Sequence, residues 1–259
     1  MNKKFPEQYP VQGVDFLEIC KDFLEEIEKR EKENFEAAGH IIGDRIMDGK
    51  VVYAVGCGGH SYIPPMDMFC RAGCLVPVSA TLDVSTTTTT GGMRSIYLER
   101  VPGYMLALFK YFKIGKNDVV LIFNNVGVNA MTIDAAQECK RIGAKSIGIA
   151  GSPWQQQLPK DHPIRHPSKK NLMDLVDVFI DDYNPVGDAV LKIEGCEVPI
   201  SPISTITDGY IVRRIEIEAI KYMISKGSQP PIWVSANLPG GDEQNQSYID
   251  EYYYKLKIM

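Results

Sequence analysis

Long apolar runs and an excess of positive charge are both missing from this sequence. No apolar run approaches the roughly 20 residues of a membrane-spanning helix, so we expect no membrane partner. Lysine and arginine number 28 against 33 aspartates and glutamates, a formal net charge of −5. That balance argues against nucleic acid as a partner. The first residues, 1–6, are not followed by the apolar core of a signal peptide, and we therefore expect a cytoplasmic protein.

Cysteine pairs at metal-binding spacing are scarce as well. Of the six cysteines, Cys70 and Cys74 lie one helical turn apart, but no CxxC pair accompanies them. In a reducing compartment all six should be free thiols. Cys70 and Cys74 could ligate a metal together, but buried apolar thiols are the better interpretation of this pair. We expect no metal and no cofactor.

The sequence does offer a strand, a glycine-rich turn and a helix start in succession. Residues 51–55 (VVYAV) are apolar without interruption, as in a parallel strand buried on both faces. GCGGHS follows at residues 56–61, and Pro64 and Pro65 suit the first turn of a helix. Free N–H groups and a helix dipole at such a turn favour an anion. The alternative is a tight turn that only joins strand to helix.

The same arrangement occurs a second time along the chain. Residues 119–123 (VVLIF) read as a buried strand, NNVGVN follows at residues 124–129, and a helix is predicted over 130–142. With further short strands at 75–78, 146–150 and 178–180, this alternation predicts right-handed βαβ crossovers. We therefore expect an α/β fold, a three-layer αβα sandwich with a five-stranded parallel sheet. Ligands of such sheets bind beyond the carboxyl ends of the strands, where both loops emerge.

The remaining segments are predicted to elaborate one domain spanning residues 1–259. Helical spacing over residues 12–48 predicts an N-terminal helical extension, and residues 183–259 form a C-terminal elaboration. There we expect a hairpin of 189–193 with 197–200, a helix capped by Asp208 and reaching Ser225, and a final helix over 248–257. The apolar stripes of the N-terminal helix and of residues 209–225 suit an interface between two copies. The threonine run at 86–90 is either a surface loop or the lining of a polar pocket.

The two loops carry a resemblance to a known family. GCGGHS after a strand resembles the first phosphate loop of sugar isomerase (SIS) domains, and NNVGVN falls where that family has its second loop. ERVPGY at 99–104, HPSKKNL at 166–172 and PPIWVSAN at 230–237 are similar to a bacterial phosphosugar isomerase-like subgroup, akin to phosphoheptose isomerase-type proteins. The resemblance covers nearly the whole chain. It is specific for the fold and much less specific for the reaction.

The resemblance implies a sugar phosphate held between the two loops, and a homodimer or a dimer of dimers. One departure from the family pattern is clear: Asn124 and Val126 stand where the second loop usually has serines, and a valine side chain cannot donate a hydrogen bond. The phosphate site is then built mainly from backbone, or the ligand differs from an ordinary sugar phosphate. The candidate substrate-binding residues are Gly58, Gly59, Ser61, Asn124, Asn125, Gly127, Asn129, Asp188 and Ser204.

Aldose–ketose isomerisation needs a base that moves a proton between adjacent carbons, and a polar group that opens the sugar ring. Glu99 is the first candidate for the base; its alternative is an ordinary exposed glutamate at a helix start. His60, in the first loop, is placed to touch the ligand, and His166 is a candidate for ring opening or for contact across a subunit boundary. The sequence thus predicts a phosphosugar isomerase, with an etherase-like lyase as a variant. A non-catalytic sugar-phosphate binder or sensor remains the alternative.

Overall fold

The computed structural model of this protein describes residues 4–259. Its helices and strands follow one another in this order: β1 (Val11–Gln12), α1 (Phe16–Met47), β2 (Val52–Gly56), α2 (Ile63–Met68), β3 (Val78–Ala80), α3 (Gly92–Leu98), α4 (Tyr104–Phe112), β4 (Val119–Phe123), α5 (Ala130–Ile142), β5 (Lys145–Ala150), α6 (Ser152–Gln157), β6 (Val178–Asp181), β7 (Ala189–Lys192), β8 (Ile200–Pro202), α7 (Ser204–Ser225) and α8 (Gly241–Tyr252). Short 3₁₀ turns occur at Thr88–Thr90 and Leu172–Asp174.

A five-stranded sheet with the order β3-β2-β4-β5-β6 forms the centre of the fold, and all of its strand pairs are parallel. Successive residues of a strand point to opposite faces of the sheet, so each apolar run feeds two cores. Val52 and Ala54 of β2 face the core that contains α1 and α7, whereas Tyr53 and Val55 face the core that contains α4 and α5. The predicted three-layer αβα sandwich is therefore confirmed.

A smaller three-stranded sheet, β1-β7-β8, lies at the N-terminal end of α1. The predicted hairpin corresponds to its antiparallel β7–β8 pair, but the second strand is Ile200–Pro202 rather than 197–200. The parallel pairing of β1 with β7 was not foreseen, because two residues carry no strand pattern.

Several predicted boundaries are wrong. β3 occupies Val78–Ala80 rather than 75–78, because Leu75 bridges to Ile232 and the N–H of Val76 donates to the carbonyl of Pro231. The helix predicted to start near Pro64 is short and ends at Met68, and the last helix begins at Gly241 rather than near residue 248. α6 lies inside a stretch that has no helical pattern.

The apolar stripes of α1 and α7 are buried within one chain. Residues of both helices, among them Phe35 and Ile42 of α1 and Ile215 of α7, join the same core beside the sheet. At their crossing the two backbones come close: a Cβ on Gly39 would lie 2.7 Å from the backbone of Ala219. The stripes therefore have partners inside the chain and do not require a second copy, so pairing through them stays a prediction. None of the helices in the described part of the chain is long and apolar enough to cross a membrane.

Candidate functional site

A cleft of about 430 Å³ opens where β2 and β4 end at their carboxyl sides. Four parts of the chain form its walls: the first loop, the segment 88–99 that contains α3, the second loop, and the start of α7 with Asp188 beside it. The lining residues are Gly59, His60, Ser61, Pro64, Thr88, Gly92, Ser95, Ile96, Glu99, Asn124, Asn125, Val126, Asp188, Pro202, Ser204, Thr205 and Asp208. The carboxyl edge of the sheet is where the sequence predicted a site.

The first loop owes its shape to glycines that other segments of the chain approach closely. Gly58 has a φ of +143°, and the place of a Cβ there is occupied by the carboxylate of Glu99. A Cβ on Gly59 would lie 2.8 Å from Ser95 Oγ and 2.9 Å from Thr88 Cγ2. The threonine run therefore reaches the cleft through Thr88, and α3 packs against the loop only because both glycines lack side chains.

Glu99 follows α3 directly and is fixed at both its backbone and its side chain. Its carbonyl accepts a hydrogen bond from the N–H of Met131 in the first turn of α5 (3.1 Å). Its carboxylate lies in the cleft against Gly58. Burial raises the pKa of Glu99 to about 7, and the positive charge of Arg100 together with a hydrogen bond from the Gly59 N–H opposes that rise only in part. A carboxylate with such a pKa can take up and return a proton near neutral pH.

Two asparagines of the second loop hold the loops together. Asn124 Nδ2 and Asn129 Nδ2 both donate to the carbonyl oxygen of Cys57, at 2.7 and 3.1 Å. Asn124 Oδ1 accepts the N–H of Gly127 (2.8 Å), and Asn129 Oδ1 caps α5 by accepting the N–H of Thr132 (3.0 Å). Both side chains are almost fully buried. Their polar groups are therefore committed within the protein, and Asn129 and Gly127 do not line the cleft.

The groups left for a ligand at the two loops are mostly backbone N–H groups. Within residues 4–259, the N–H groups of His60, Ser61, Asn125 and Val126 have no protein acceptor. Asn125 Oδ1 is buried and has no donor in that part of the chain, and Ser61 Oγ has only a long contact of 3.4 Å to Asn124 Nδ2. These groups surround the cleft from both loops.

Asp188 and Ser204 line the cleft but bind each other. Asp188 Oδ1 accepts the N–H groups of Ile203 (3.1 Å) and Ser204 (3.0 Å), and Oδ2 accepts Ser204 Oγ (2.6 Å). The Asp188 carboxylate therefore caps the N-terminus of α7. The prediction that Asp208 caps this helix is wrong, because α7 begins four residues before Asp208.

The two candidate histidines are in different surroundings. His60 is exposed and lines the cleft. His166 lies outside it: its Nδ1 accepts the N–H of Ser168 (3.0 Å), and its Nε2 faces Asp134 Oδ1 (3.3 Å). The imidazole thus lies between the backbone N–H of Ser168 and the carboxylate of Asp134. Asp134 in turn accepts the N–H of Gly103 (2.6 Å). In the described part of the chain, none of the hydrogen bonds of His166 reaches a residue that lines the cleft.

Sequence reasoning missed several cleft residues, above all Asp208 and Ser95, whereas the threonine run had been considered as a pocket lining. The sequence did contain a sign of acidic residues near the cleft. Asp181 and Asp182 lie at the carboxyl end of β6, at the same sheet edge as both loops. Among residues 4–259, no group of three or more His, Cys, Asp or Glu side chains is arranged to hold a metal ion.

Comparisons with known proteins agree on the family. The model of the SIS domain matches residues 15–151, a stretch that contains both loops and Glu99 and ends before Asp188. A UPF0309 protein of Geobacillus thermodenitrificans is 33% identical over 244 residues, which covers 94% of this chain and 96% of the relative. A UPF0309 protein of Halalkalibacterium halodurans is 32% identical over 246 residues, covering 95% and 96%.

Among solved structures, a phosphoheptose isomerase from Francisella tularensis is similar with a TM-score of 0.49 and 15% identity, covering 80% of this chain and 95% of that one. The SIS-domain model matches more than half of the chain, and the UPF0309 proteins match nearly all of it. This chain therefore belongs to the SIS-domain family.

Proposed function

We propose that this protein binds a phosphorylated sugar, or a related carbohydrate derivative, in the cleft and interconverts its aldose and ketose forms. The observation that carries the proposal is the position of Glu99: a half-buried carboxylate with a pKa of about 7 lies against the first loop, beside backbone N–H groups that have no acceptor within residues 4–259. A proton-transfer group and an anion-binding surface thus share one cleft.

The anionic group of the ligand is placed at the free N–H groups of His60, Ser61, Asn125 and Val126. Backbone donors suit an anion because several can converge on it, and each charge-assisted hydrogen bond contributes about 1.5–3 kcal/mol. Asn124 and Asn129 act indirectly: their side chains hold in place the loops that carry these donors.

In the reaction, Glu99 takes the proton from the carbon next to the sugar carbonyl, which gives an enediolate. The proton of the neighbouring hydroxyl passes to the former carbonyl oxygen, and Glu99 returns its proton to the former carbonyl carbon. The protonated carboxyl formed in between is stabilised by the same burial that raises the pKa of Glu99. His60 is placed at the cleft to contact the sugar directly.

Glu99→Gln keeps size and polarity but removes the base, and we expect it to lower turnover by two or more orders of magnitude, the typical contribution of general base catalysis, while ligand affinity changes little. The measurement is a panel of sugar phosphates followed by NMR, with affinities from calorimetry. Glu33→Gln, which removes an exposed carboxylate from α1, is the matched control and should behave as wild type.

Equal turnover by wild type and Glu99→Gln on the same substrate would remove Glu99 from the mechanism. Tight binding without turnover by wild type, across the panel, would establish a sugar-phosphate binder instead. NMR also distinguishes an isomerase from an etherase-like lyase, because a lyase releases a fragment of the sugar and an isomerase does not.

A further inference from the structure

A second cavity, of about 400 Å³, adjoins the cleft and has a different lining. Its walls come from the first loop, from α2 and from the segment 82–89. The lining residues are Gly59, His60, Tyr62, Ile63, Met66, Leu82, Val84, Thr87, Thr88 and Thr89. In the described part of the chain no lysine, arginine, aspartate or glutamate lines it. This cavity is called the apolar pocket below.

Polar side-chain atoms of the apolar pocket are largely used inside the protein. Tyr62 is buried, and its hydroxyl is hydrogen-bonded to Thr86 Oγ1. Thr87 Oγ1 donates to the carbonyl of Val84 (3.0 Å) and also contacts Thr89 Oγ1. The surface that remains for a ligand consists mainly of methyl and methylene groups, which offer contact area rather than hydrogen bonds.

Three large apolar side chains of the pocket stay exposed to solvent. Val84 is 59% exposed, Met66 55% and Ile63 39%. Single exposed apolar residues are common on protein surfaces, but these three line one concave surface. Transfer of an apolar group from water to such a surface is favourable, because it removes apolar area of both partners from water.

The apolar pocket and the cleft share part of their lining. Gly59, His60 and Thr88 line both of them. His60 also carries one of the N–H groups, without an acceptor in residues 4–259, to which the anion of the ligand is assigned above. A group attached at the anionic end of the ligand is therefore expected to reach the pocket. The volume of the pocket is in the range of small-molecule sites.

We propose that the apolar pocket is a subsite for an alkyl or aryl group, and that the ligand is a carbohydrate derivative which carries such a group at its anionic end. The inference rests on the proposed function, because it extends the ligand of the same cleft. The cleft holds the sugar and the anion, and the pocket removes the apolar group from water. A hydroxyl in the pocket loses hydrogen bonds to water and finds few in return.

Two series of probes test the pocket with and without the anion site: n-alkyl phosphates from methyl to hexyl phosphate, and the corresponding n-alkanols. Titrations are followed by NMR of methyl-labelled protein at about pH 8, where every phosphate carries nearly its full charge. We expect the affinity for the phosphates to rise about twofold to fourfold per added CH₂ until the pocket is full. The methyl signals of Ile63, Met66 and Val84 should shift, and those of Ile193, outside both cavities, should not.

The pocket and the anion site can fail separately. If methyl phosphate does not bind, the anion site of the proposed function fails, while the alkanols still test the pocket through the same three methyl groups. If neither series gains affinity with chain length, or if the shifts lie at other methyl groups, the apolar subsite is overturned. A gain for the alkanols alone, with phosphates that bind but do not gain, overturns attachment at the anionic end.

A matched pair of methionine variants locates the effect. Met66→Ser removes an exposed apolar side chain from the pocket; it should weaken binding of hexyl phosphate about fivefold and leave that of methyl phosphate within about twofold. Met93→Ser removes a methionine of similar exposure (58%) that lines neither cavity, and it should keep the wild-type gain per CH₂. An unchanged gain in folded Met66→Ser would overturn the assignment.

Light scattering distinguishes a ligand subsite from a contact between two copies of the chain. The mass in solution should be the same for wild type and Met66→Ser, and hexyl phosphate should not change it. Dissociation of an assembly by the variant or by the probe would assign the pocket to an interface and overturn the proposal. Thermal melting verifies that both variants are folded, and the wild-type series decides the question by itself if Met66→Ser does not fold.

Discussion

At the scale of single residues, Gly58 is the position where the first loop and the base meet. Its φ of +143° is a conformation that residues with a side chain rarely adopt, and the carboxylate of Glu99 fills the space of its missing Cβ. The absence of a side chain at Gly58 thus determines the position of the Glu99 carboxylate. Any side chain at position 58 displaces that carboxylate from the cleft or opens the loop.

Gly58→Ala should therefore abolish turnover and lower stability. The backbone strain costs about 1–3 kcal/mol, and the displaced carboxylate adds a loss of activity beyond that. Urea unfolding and turnover on an identified substrate measure the two effects. Gly195→Ala is the control, because Gly195 also has a positive φ (+79°) but open space around it; it should lose stability and keep activity. An active Gly58→Ala would show that Glu99 is not held by this contact.

Residue roles were harder to predict than residue positions. The sequence placed Asn124, Asp188 and Ser204 in the site, and all three line the cleft. It did not show that their polar atoms are used inside the protein, since the partners are far away along the chain: Cys57 for Asn124, and Asp188 for Ser204. Asp208 was interpreted as a helix cap because an aspartate before an apolar stripe is typical of one.

At the scale of elements, the long periodic segments were predictable and their ends were not. β4 and α5 match the predicted residues, since an uninterrupted apolar run and a helix closed by Gly143 are strong local signals. The start of α7 depends on Asp188, whose carboxylate caps the helix from outside its own sequence. β3 depends on the C-terminal segment that pairs with residues 75 and 76. No local pattern records such contacts.

The crossing of α1 and α7 gives a pair of glycine substitutions with opposite expected signs. Gly39→Ala inserts a methyl group against the backbone of Glu218 and Ala219 and should destabilise by about 1–3 kcal/mol, as overpacking does. Gly209→Ala, in α7 with open space at its Cβ, should stabilise by about 0.5–1 kcal/mol because alanine is the better helix former. Urea unfolding measures both. A stabilising Gly39→Ala would mean that the helices do not cross at this residue.

At the scale of the whole molecule, several buried acids make the folded state hold protons that the unfolded chain releases. Burial raises the pKa of Glu99 from 4.5 to about 7 and that of Asp181 from 3.8 to about 6. Between the ordinary and the raised pKa of each acid, the native state binds more protons than the unfolded state. The free energy of unfolding therefore falls as pH rises through that range. Below about pH 4 the sign reverses, because Glu28 and Glu218, whose pKa values lie below the usual range, lose their ionised partnership with Arg214.

We therefore expect the free energy of unfolding to be larger at about pH 5 than at about pH 8. Urea titrations at the two pH values measure the difference, and the same titrations on Glu99→Gln should show a smaller one, since the variant lacks one of the contributing groups. An increase in stability from pH 5 to pH 8 would contradict the assignment of raised pKa values to these acids.

The contact between α1 and α7 also bears on how the chain folds as it is made. α1 leaves the ribosome early, whereas Ala219, which packs on Gly39, is synthesised roughly 10–40 s later at ordinary rates of translation. For that interval the apolar stripe of α1 lacks its final partner, and the core between α1, α7 and the sheet can close only after α7 has been made. Folding of this core is thus tied to the synthesis of α7, and until then α1 exposes apolar surface of the kind that chaperones bind.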